Sequence, residues 1–103
     1  MYQLTVLYNQ PADAATFDKY YDDVHTPIAA KIPGLQHLTV NRPGPGPDGN
    51  PPAFHVIAVL EFADEAAFGA GLSSEEGKAA AADMANFAGA GATMLSGPST
   101  AVV

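Results

Sequence analysis

The chain has 103 residues, 48% of them apolar and 15% charged, a composition that excludes intrinsic disorder and a coiled coil and predicts a single domain over residues 1–103. Eleven acidic against four basic side chains give a net charge of −7, which argues against nucleic acid and against a membrane surface as partners. The chain has no cysteine, no long apolar run and no basic leader, so we expect no disulfide, no membrane span and a cytoplasmic location.

The first third of the chain predicts a strand followed by a helix. Residues 2–9 alternate with the period of two that is typical of a strand, and Pro11 ends the pattern because proline cannot donate to a sheet. Asp13 is placed to cap a helix with its carboxylate. The apolar side chains that follow at spacings of three and four residues predict one buried stripe: Phe17, Tyr20, Tyr21, Val24 and Ile28. Pro27 predicts a break or kink in this helix after His25.

The middle of the chain predicts two strands joined by a loop. Residues 35–42 fit a strand whose alternation puts these side chains on one face: Leu35, His37, Thr39 and Asn41. Residues 43–52 are so rich in proline and glycine that we expect a mobile hairpin loop. Residues 54–62 are the most apolar strand, and because both of its faces are apolar, neither is expected to stay in contact with water.

The last third of the chain predicts helices and a final strand. Asp64 is placed to cap a short helix, and Ser73 with Glu76 has the capping-box pattern for a helix that reaches about Asn86. This spacing leaves open whether the two pieces form one helix. Residues 91–97 fit a last strand.

The order of these elements, β-α-β-β-α-β, predicts a ferredoxin-like α+β fold, in which a four-stranded antiparallel sheet carries both helical segments on one face. The helices cover only that face. Because residues 54–62 are apolar on both sides, the second face needs another cover, and an identical sheet from a second subunit supplies it. We therefore expect a homodimer.

A longer motif resembles a known family. Residues 20–35, YYDDVHTPIAAKIPGL, are similar to the signature of the EthD family, which is named for a protein required for ethyl tert-butyl ether degradation. The resemblance extends to residues 4–9, to Pro51 and Pro52, and to residues 74–87, and so covers nearly the whole chain. It implies a dimeric α+β barrel, in which two ferredoxin-like protomers close their sheets into a barrel.

The resemblance also implies two alternative functions. Distant relatives include muconolactone-type isomerases, cofactor-free monooxygenases, and polyketide cyclases or decarboxylases. These relatives imply an enzyme without a cofactor, acting on a small aromatic, lactone or polyketide-like substrate. EthD itself accompanies a cytochrome P450 system, which implies instead a non-catalytic protein that binds a hydrophobic metabolite for a partner oxidase.

His25 is the predicted catalytic residue. A neutral imidazole accepts or gives a proton near pH 7, and His25 matches the histidine of the EthD signature. The alternative is structural, because a histidine at the end of a helix also bonds the last carbonyl groups and complements the helix dipole.

Three further residues are predicted to contact a small hydrophobic or aromatic ligand. Tyr8 and Tyr21 combine an apolar ring with a polar tip, although the same rings also suit plain core packing. His37 lies on a predicted strand and is expected to line the pocket. His25, His37 and His55 are 12 and 18 residues apart, a spacing that fits no compact metal motif, so we predict no metal site and expect His55 to be an edge residue with a hydrogen-bond partner.

Overall fold

A computed structural model describes all 103 residues and contains one four-stranded antiparallel sheet with helices packed on one face. The strands are β1 (Tyr2–Asn9), β2 (Leu35–Asn41), β3 (Phe54–Phe62) and β4 (Ala92–Pro98), in the spatial order β2-β3-β1-β4. This is the predicted ferredoxin-like arrangement, and the four strands begin and end within one residue of their predicted bounds.

The helical layer consists of short segments. They are α1 (Ala14–Tyr20), a π-helical turn (Tyr21–His25), α2 (Thr26–Ala29), α3 (Glu65–Ser73), α4 (Glu75–Asp83) and a 3₁₀ turn (Met84–Asn86). The predicted caps are confirmed, since Asp13 accepts a hydrogen bond from Thr16 N at 3.1 Å and Asp64 accepts one from Ala67 N at 2.8 Å. None of these helices combines the length and apolar character needed to cross a lipid bilayer.

The π-helical turn changes which side chains of the first helical segment are buried. The Thr26 N–H bonds the Tyr21 carbonyl, five residues back, and this wider turn shifts the inward face by one position. His25 is consequently 6% exposed, whereas Val24 is 37% exposed, so the predicted burial of Val24 is wrong. The buried residues are instead spaced by four: Phe17, Tyr21, His25 and Ala29.

Pro27 does not break the helix. Thr26 keeps helical backbone angles, and the chain passes directly from the π-helical turn into α2. Proline has no N–H to donate to the preceding turn, and the Thr26 hydroxyl donates at 3.1 Å to the carbonyl of Asp22. The proline predicts an irregular backbone after His25. The irregular part is instead the π-helical turn itself, which ends at His25.

The second helical region is two helices. Ser74, with extended backbone, separates α3 from α4, and its hydroxyl accepts a hydrogen bond from Gly77 N at 3.0 Å. The N-cap is therefore Ser74, and the predicted cap at Ser73 is wrong by one residue. Gly77 lies so close to the carbonyls of Gly71 and Leu72 that a side chain there has no room, so the two helices cross tightly.

The start of β2 contains a bulge. Leu35 pairs with Phe62 and His37 pairs with Glu61, so β2 advances by two residues where β3 advances by one. Leu35 packs against the core and does not share a face with His37, contrary to the strict alternation predicted for this strand. Residues 43–53 join β2 to β3 without regular structure before β3 begins.

The core lies between the sheet and the helices. Alternate residues of β1 and β3 face the helices and are buried: Leu4, Val6, Tyr8, Val56, Ala58, Leu60 and Phe62. On the opposite face, which we call the open sheet face, Leu7, Ile57 and Val59 are only half-buried and Leu95 of β4 is exposed.

Candidate functional site

A cavity of about 180 Å³ lies between the sheet and the helical layer, and we call it the apolar cavity. Of its 17 lining residues 14 are hydrophobic, and β1 and β3 supply its floor through side chains such as Val6 and Ala58. Tyr8, Tyr21 and His25, three of the four side chains predicted for the site, all line it. This volume is below the roughly 300–1,000 Å³ of pockets for drug-sized ligands, so the cavity suits a small molecule.

His25 forms a buried pair with Asp83. The π-helical turn directs His25 inward, and the end of α4 brings Asp83 to it, with Nδ1 of His25 2.9 Å from Oδ2 of Asp83. Both side chains are buried. A carboxylate that accepts from Nδ1–H fixes the tautomer of the ring and leaves Nε2 as a proton acceptor.

Two more side chains hold the Asp83 carboxylate. The Tyr20 hydroxyl donates to Oδ1 at 2.6 Å, and the Asn86 amide donates to the same oxygen at 3.0 Å. Burial alone raises the pKa of a carboxyl, but the hydrogen bonds from Tyr20, Asn86 and His25 outweigh it and hold the pKa of Asp83 below its usual value. Asp83 is therefore ionised at neutral pH.

The second ring nitrogen of His25, Nε2, makes no hydrogen bond within the protein. His25 lines the cavity, and its only hydrogen bond is the one from Nδ1 to Asp83. No fully buried side-chain nitrogen or oxygen of the chain lacks a partner, so Nε2, which has none, keeps some accessible surface. The arrangement places an imidazole, backed by a buried carboxylate, in the lining of a mainly apolar cavity.

The tyrosines belong to a cluster of aromatic rings around His25. The His25 ring lies 5.5 Å from that of Tyr21 and 4.5 Å from that of Phe87, and the Tyr8 ring lies 5.4 Å from that of Tyr21. Burial raises the pKa of Tyr21 to about 12 and raises the pKa of Tyr8 as well. Both hydroxyls are therefore protonated donors at neutral pH.

The other two histidines lie apart from this site. His37, on the open sheet face beside Glu61, is exposed, so the structure does not bring it to the apolar cavity as its predicted ligand-binding role requires. His55 Nε2 lies 2.7 Å from Oδ1 of Asp18, away from the cavity. No three His, Asp or Glu side chains come together in a group that fits a metal ion.

Sequence similarity identifies the family of the chain. A model of the EthD domain matches residues 9–91. The chain belongs to the EthD family. An uncharacterized 11.0 kDa protein in the thcB-thcC intergenic region of Rhodococcus erythropolis is 43% identical over 95 residues, which cover 92% of this chain and 91% of that protein.

Solved structures share the fold. An EthD family protein from Bacillus halodurans has a TM-score of 0.91 at 33% identity, over 97% of this chain and 99% of that one. A dimeric ferredoxin-like protein of unknown function from Thermobifida fusca has a TM-score of 0.68 at 16% identity, over 92% and 87%. SnoaB, a cofactor-independent oxygenase from Streptomyces nogalater, has a TM-score of 0.63 at 18% identity, over 99% and 93%. The last two similarities show the fold alone.

Sequence reasoning missed Asp83 as the partner of His25 in this EthD chain. Asp83 follows Gly77 and Ala80 at a spacing of three, on the buried face of an alanine-rich helix. It also stands in the last turn of that helix, where the dipole disfavours a negative charge. A carboxylate that lies in an apolar stripe, at the end of a helix where a negative charge is unfavourable, has no local structural role. This is the sequence feature that could have identified Asp83 as the partner of a buried group.

Proposed function

We propose that this EthD protein is a cofactor-independent enzyme in which His25 acts as a general acid–base on a small, largely apolar molecule. The buried hydrogen bond between Asp83 and His25, whose ring lines the apolar cavity, is the observation that carries the proposal. The similarity of its fold to a cofactor-independent oxygenase agrees with chemistry that needs only side chains.

The geometry supports a proton cycle at one atom. Neutral His25, with its hydrogen on Nδ1, accepts a proton from the substrate at Nε2 and becomes an imidazolium. The Asp83 carboxylate stabilises that positive charge across 2.9 Å, and the apolar surroundings strengthen the interaction. The same Nε2–H then returns the proton to another atom of the substrate, as isomerisation or cyclisation requires.

The test is hydrogen–deuterium exchange in small molecules. A panel of aromatic ketones, unsaturated lactones and phenols is incubated with the protein in D₂O, and loss of C–H signal is followed by NMR. The parent is expected to exchange at least one compound, and His25→Gln, which keeps a polar side chain but cannot take a proton, is expected to lose that exchange by about 100-fold or more.

The alternative is a protein that binds a hydrophobic metabolite for a partner oxidase, and the mainly apolar lining of the cavity favours binding of that kind. The same panel separates the two functions. Binding of these compounds without exchange, with equal affinity in the parent and in His25→Gln, supports a carrier and contradicts the acid–base proposal.

We also infer a homodimer in which the open sheet face is covered by the same face of a second copy. Leu7, Ile57 and Val59 are half-buried there and Leu95 is exposed, an apolar surface that a soluble monomer rarely leaves open. Light scattering is expected to give about 21 kDa, twice the 10.6 kDa of the chain. A Leu95→Glu variant is expected to shift the mass toward the monomer, and a monomeric parent contradicts the inference.

A further inference from the structure

The hydroxyls of Tyr8 and Tyr21 have no assigned task in the acid–base cycle of His25. Both rings are nearly inaccessible to bulk water, and both line the apolar cavity. The centres of the two rings lie 5.4 Å apart, and no carboxylate, amide or backbone group bonds either hydroxyl. A hydroxyl without such a partner keeps its O–H free to donate, and both tyrosines line the same cavity as His25.

The cavity thus offers one kind of acceptor and one kind of donor. His25 Nε2 accepts a proton, and the protonated tyrosine hydroxyls donate, while most of the remaining lining is apolar. Donors fixed in a dry site stabilise a developing negative charge on oxygen far better than water does, because they need no reorganisation when the charge appears. A base beside such donors matches a substrate that loses a proton from carbon and gains charge on oxygen.

Resting on the proposed role of His25, we propose that Tyr8 and Tyr21 form an oxyanion site and that the substrates are small apolar carbonyl compounds. In the step, the C–H proton next to the carbonyl moves to Nε2 of His25. The C–H electron pair forms a C=C bond, and the carbonyl π pair moves to oxygen. The enolate oxygen accepts hydrogen bonds from the tyrosine hydroxyls, and Nε2–H of His25 then returns a proton to the α carbon as the carbonyl re-forms. Where a second C=C bond is conjugated with the enolate, return to its far carbon completes an isomerisation.

The test uses 4-nitrophenol, a planar apolar ring whose ionised oxygen resembles an enolate. Bound at a pH well below its solution pKa, the probe is expected to transfer its O–H proton to His25 and to show the absorbance of the phenolate. Tyr8→Phe and Tyr21→Phe keep the rings and the packing, and each is expected to weaken binding of the ionised probe roughly 10-fold or more.

Two controls isolate the hydroxyl effect. Tyr2→Phe makes the same change on the same strand, beside Phe68 and away from the cavity, and is expected to bind the probe as the parent does. The compound 4-nitrotoluene has a similar size without the hydroxyl, and it is expected to bind the parent and the phenylalanine variants equally.

The outcomes separate this proposal from the proposed function. Ionisation that disappears in His25→Gln but is unchanged in the double variant Tyr8→Phe/Tyr21→Phe overturns the oxyanion site and leaves the base intact. Ionisation that survives in His25→Gln but disappears in the double variant supports the oxyanion site and contradicts the base. A parent that neither binds nor ionises 4-nitrophenol overturns the oxyanion site.

Discussion

His25 with Asp83 and His55 with Asp18 are two histidine–aspartate pairs of nearly equal length in one small protein, 2.9 and 2.7 Å. They differ in access to water. The side chains of His25 and Asp83 are 7% and 8% exposed, while those of His55 and Asp18 are 17% and 40% exposed. Water competes for the exposed pair and screens it, so such pairs contribute little to stability. The buried pair acts in a low dielectric and its histidine lines the apolar cavity, so we propose the buried pair, and not the exposed one, as the centre of proton transfer.

The largest expected difference between the pairs is in proton transfer. His25→Gln is expected to lose about 100-fold or more of the deuterium exchange that the parent catalyses, because glutamine cannot carry the proton. His55→Gln removes the other imidazole and is expected to stay within about twofold of the parent, since it leaves the group facing the cavity unchanged. NMR exchange rates measure both. Equal losses in the two variants contradict the contrast between the pairs.

A smaller but still large effect is expected from the carboxylates. Asp83→Asn keeps the size of the side chain but removes the charge that stabilises the His25 imidazolium, and the exchange rate is expected to fall roughly tenfold or more. Nitrogen NMR of the ring is expected to place the proton on Nδ1 in the parent and to show a mixed tautomer in the variant. Asp18→Asn is the matched control, and a comparable fall there counts against the assignment.

The buried pair also predicts a dependence of stability on pH. The pKa of Asp83 is lowered in the folded protein, so its contribution to stability is present above the unfolded value of about 4 and is lost as pH falls through the folded value. The free energy of unfolding of the parent, measured with a denaturant, is expected to decrease as the pH falls through this range. Asp83→Asn is expected to show a flatter profile, and identical profiles contradict the lowered pKa.

The smallest effect is expected from Tyr20→Phe. This change removes one of the donors to Asp83 and keeps the ring stacked on Phe87. The free energy of unfolding is expected to fall only slightly, and exchange is expected to slow only a few-fold because Asn86 and His25 still hold the carboxylate. Thermal unfolding and NMR exchange measure the two effects. A loss as large as that of Asp83→Asn gives Tyr20 a larger role than positioning.

Local patterns were sufficient to predict most of the fold. Period-two alternation predicted β1 and β3, and carboxylates at Asp13 and Asp64 predicted two helix starts, because strand pleating and capping depend on residues close in sequence. The two errors about which side chains face the core, in the first helical segment and in β2, have the same kind of physical origin. The π-helical turn and the bulge near Gln36 each shift the side-chain pattern by one position, and neither has a strong local signature.

The site was predictable only in part. His25, Tyr8 and Tyr21 were found as single residues with suitable chemistry, and all three line the apolar cavity. Asp83 lies 58 residues from His25 in sequence, so their contact depends on how α4 packs beside the first helical segment. His37 was misplaced relative to the cavity because the sheet has two faces, and composition does not show which one the helices cover.

The π-helical turn contains one residue more than a regular α-helical turn would hold between the Tyr21 carbonyl and the Thr26 N–H. Deleting one residue between Tyr21 and His25, such as the exposed Asp22 or Asp23, removes no buried side chain. The same deletion brings the Thr26 N–H to four residues after the Tyr21 carbonyl, so the wide turn becomes a regular α-helical one and the residues that follow keep their facing. A chain one residue shorter here can therefore direct the same histidine inward, and related chains that keep the same pocket are expected to differ in length by one residue at this turn.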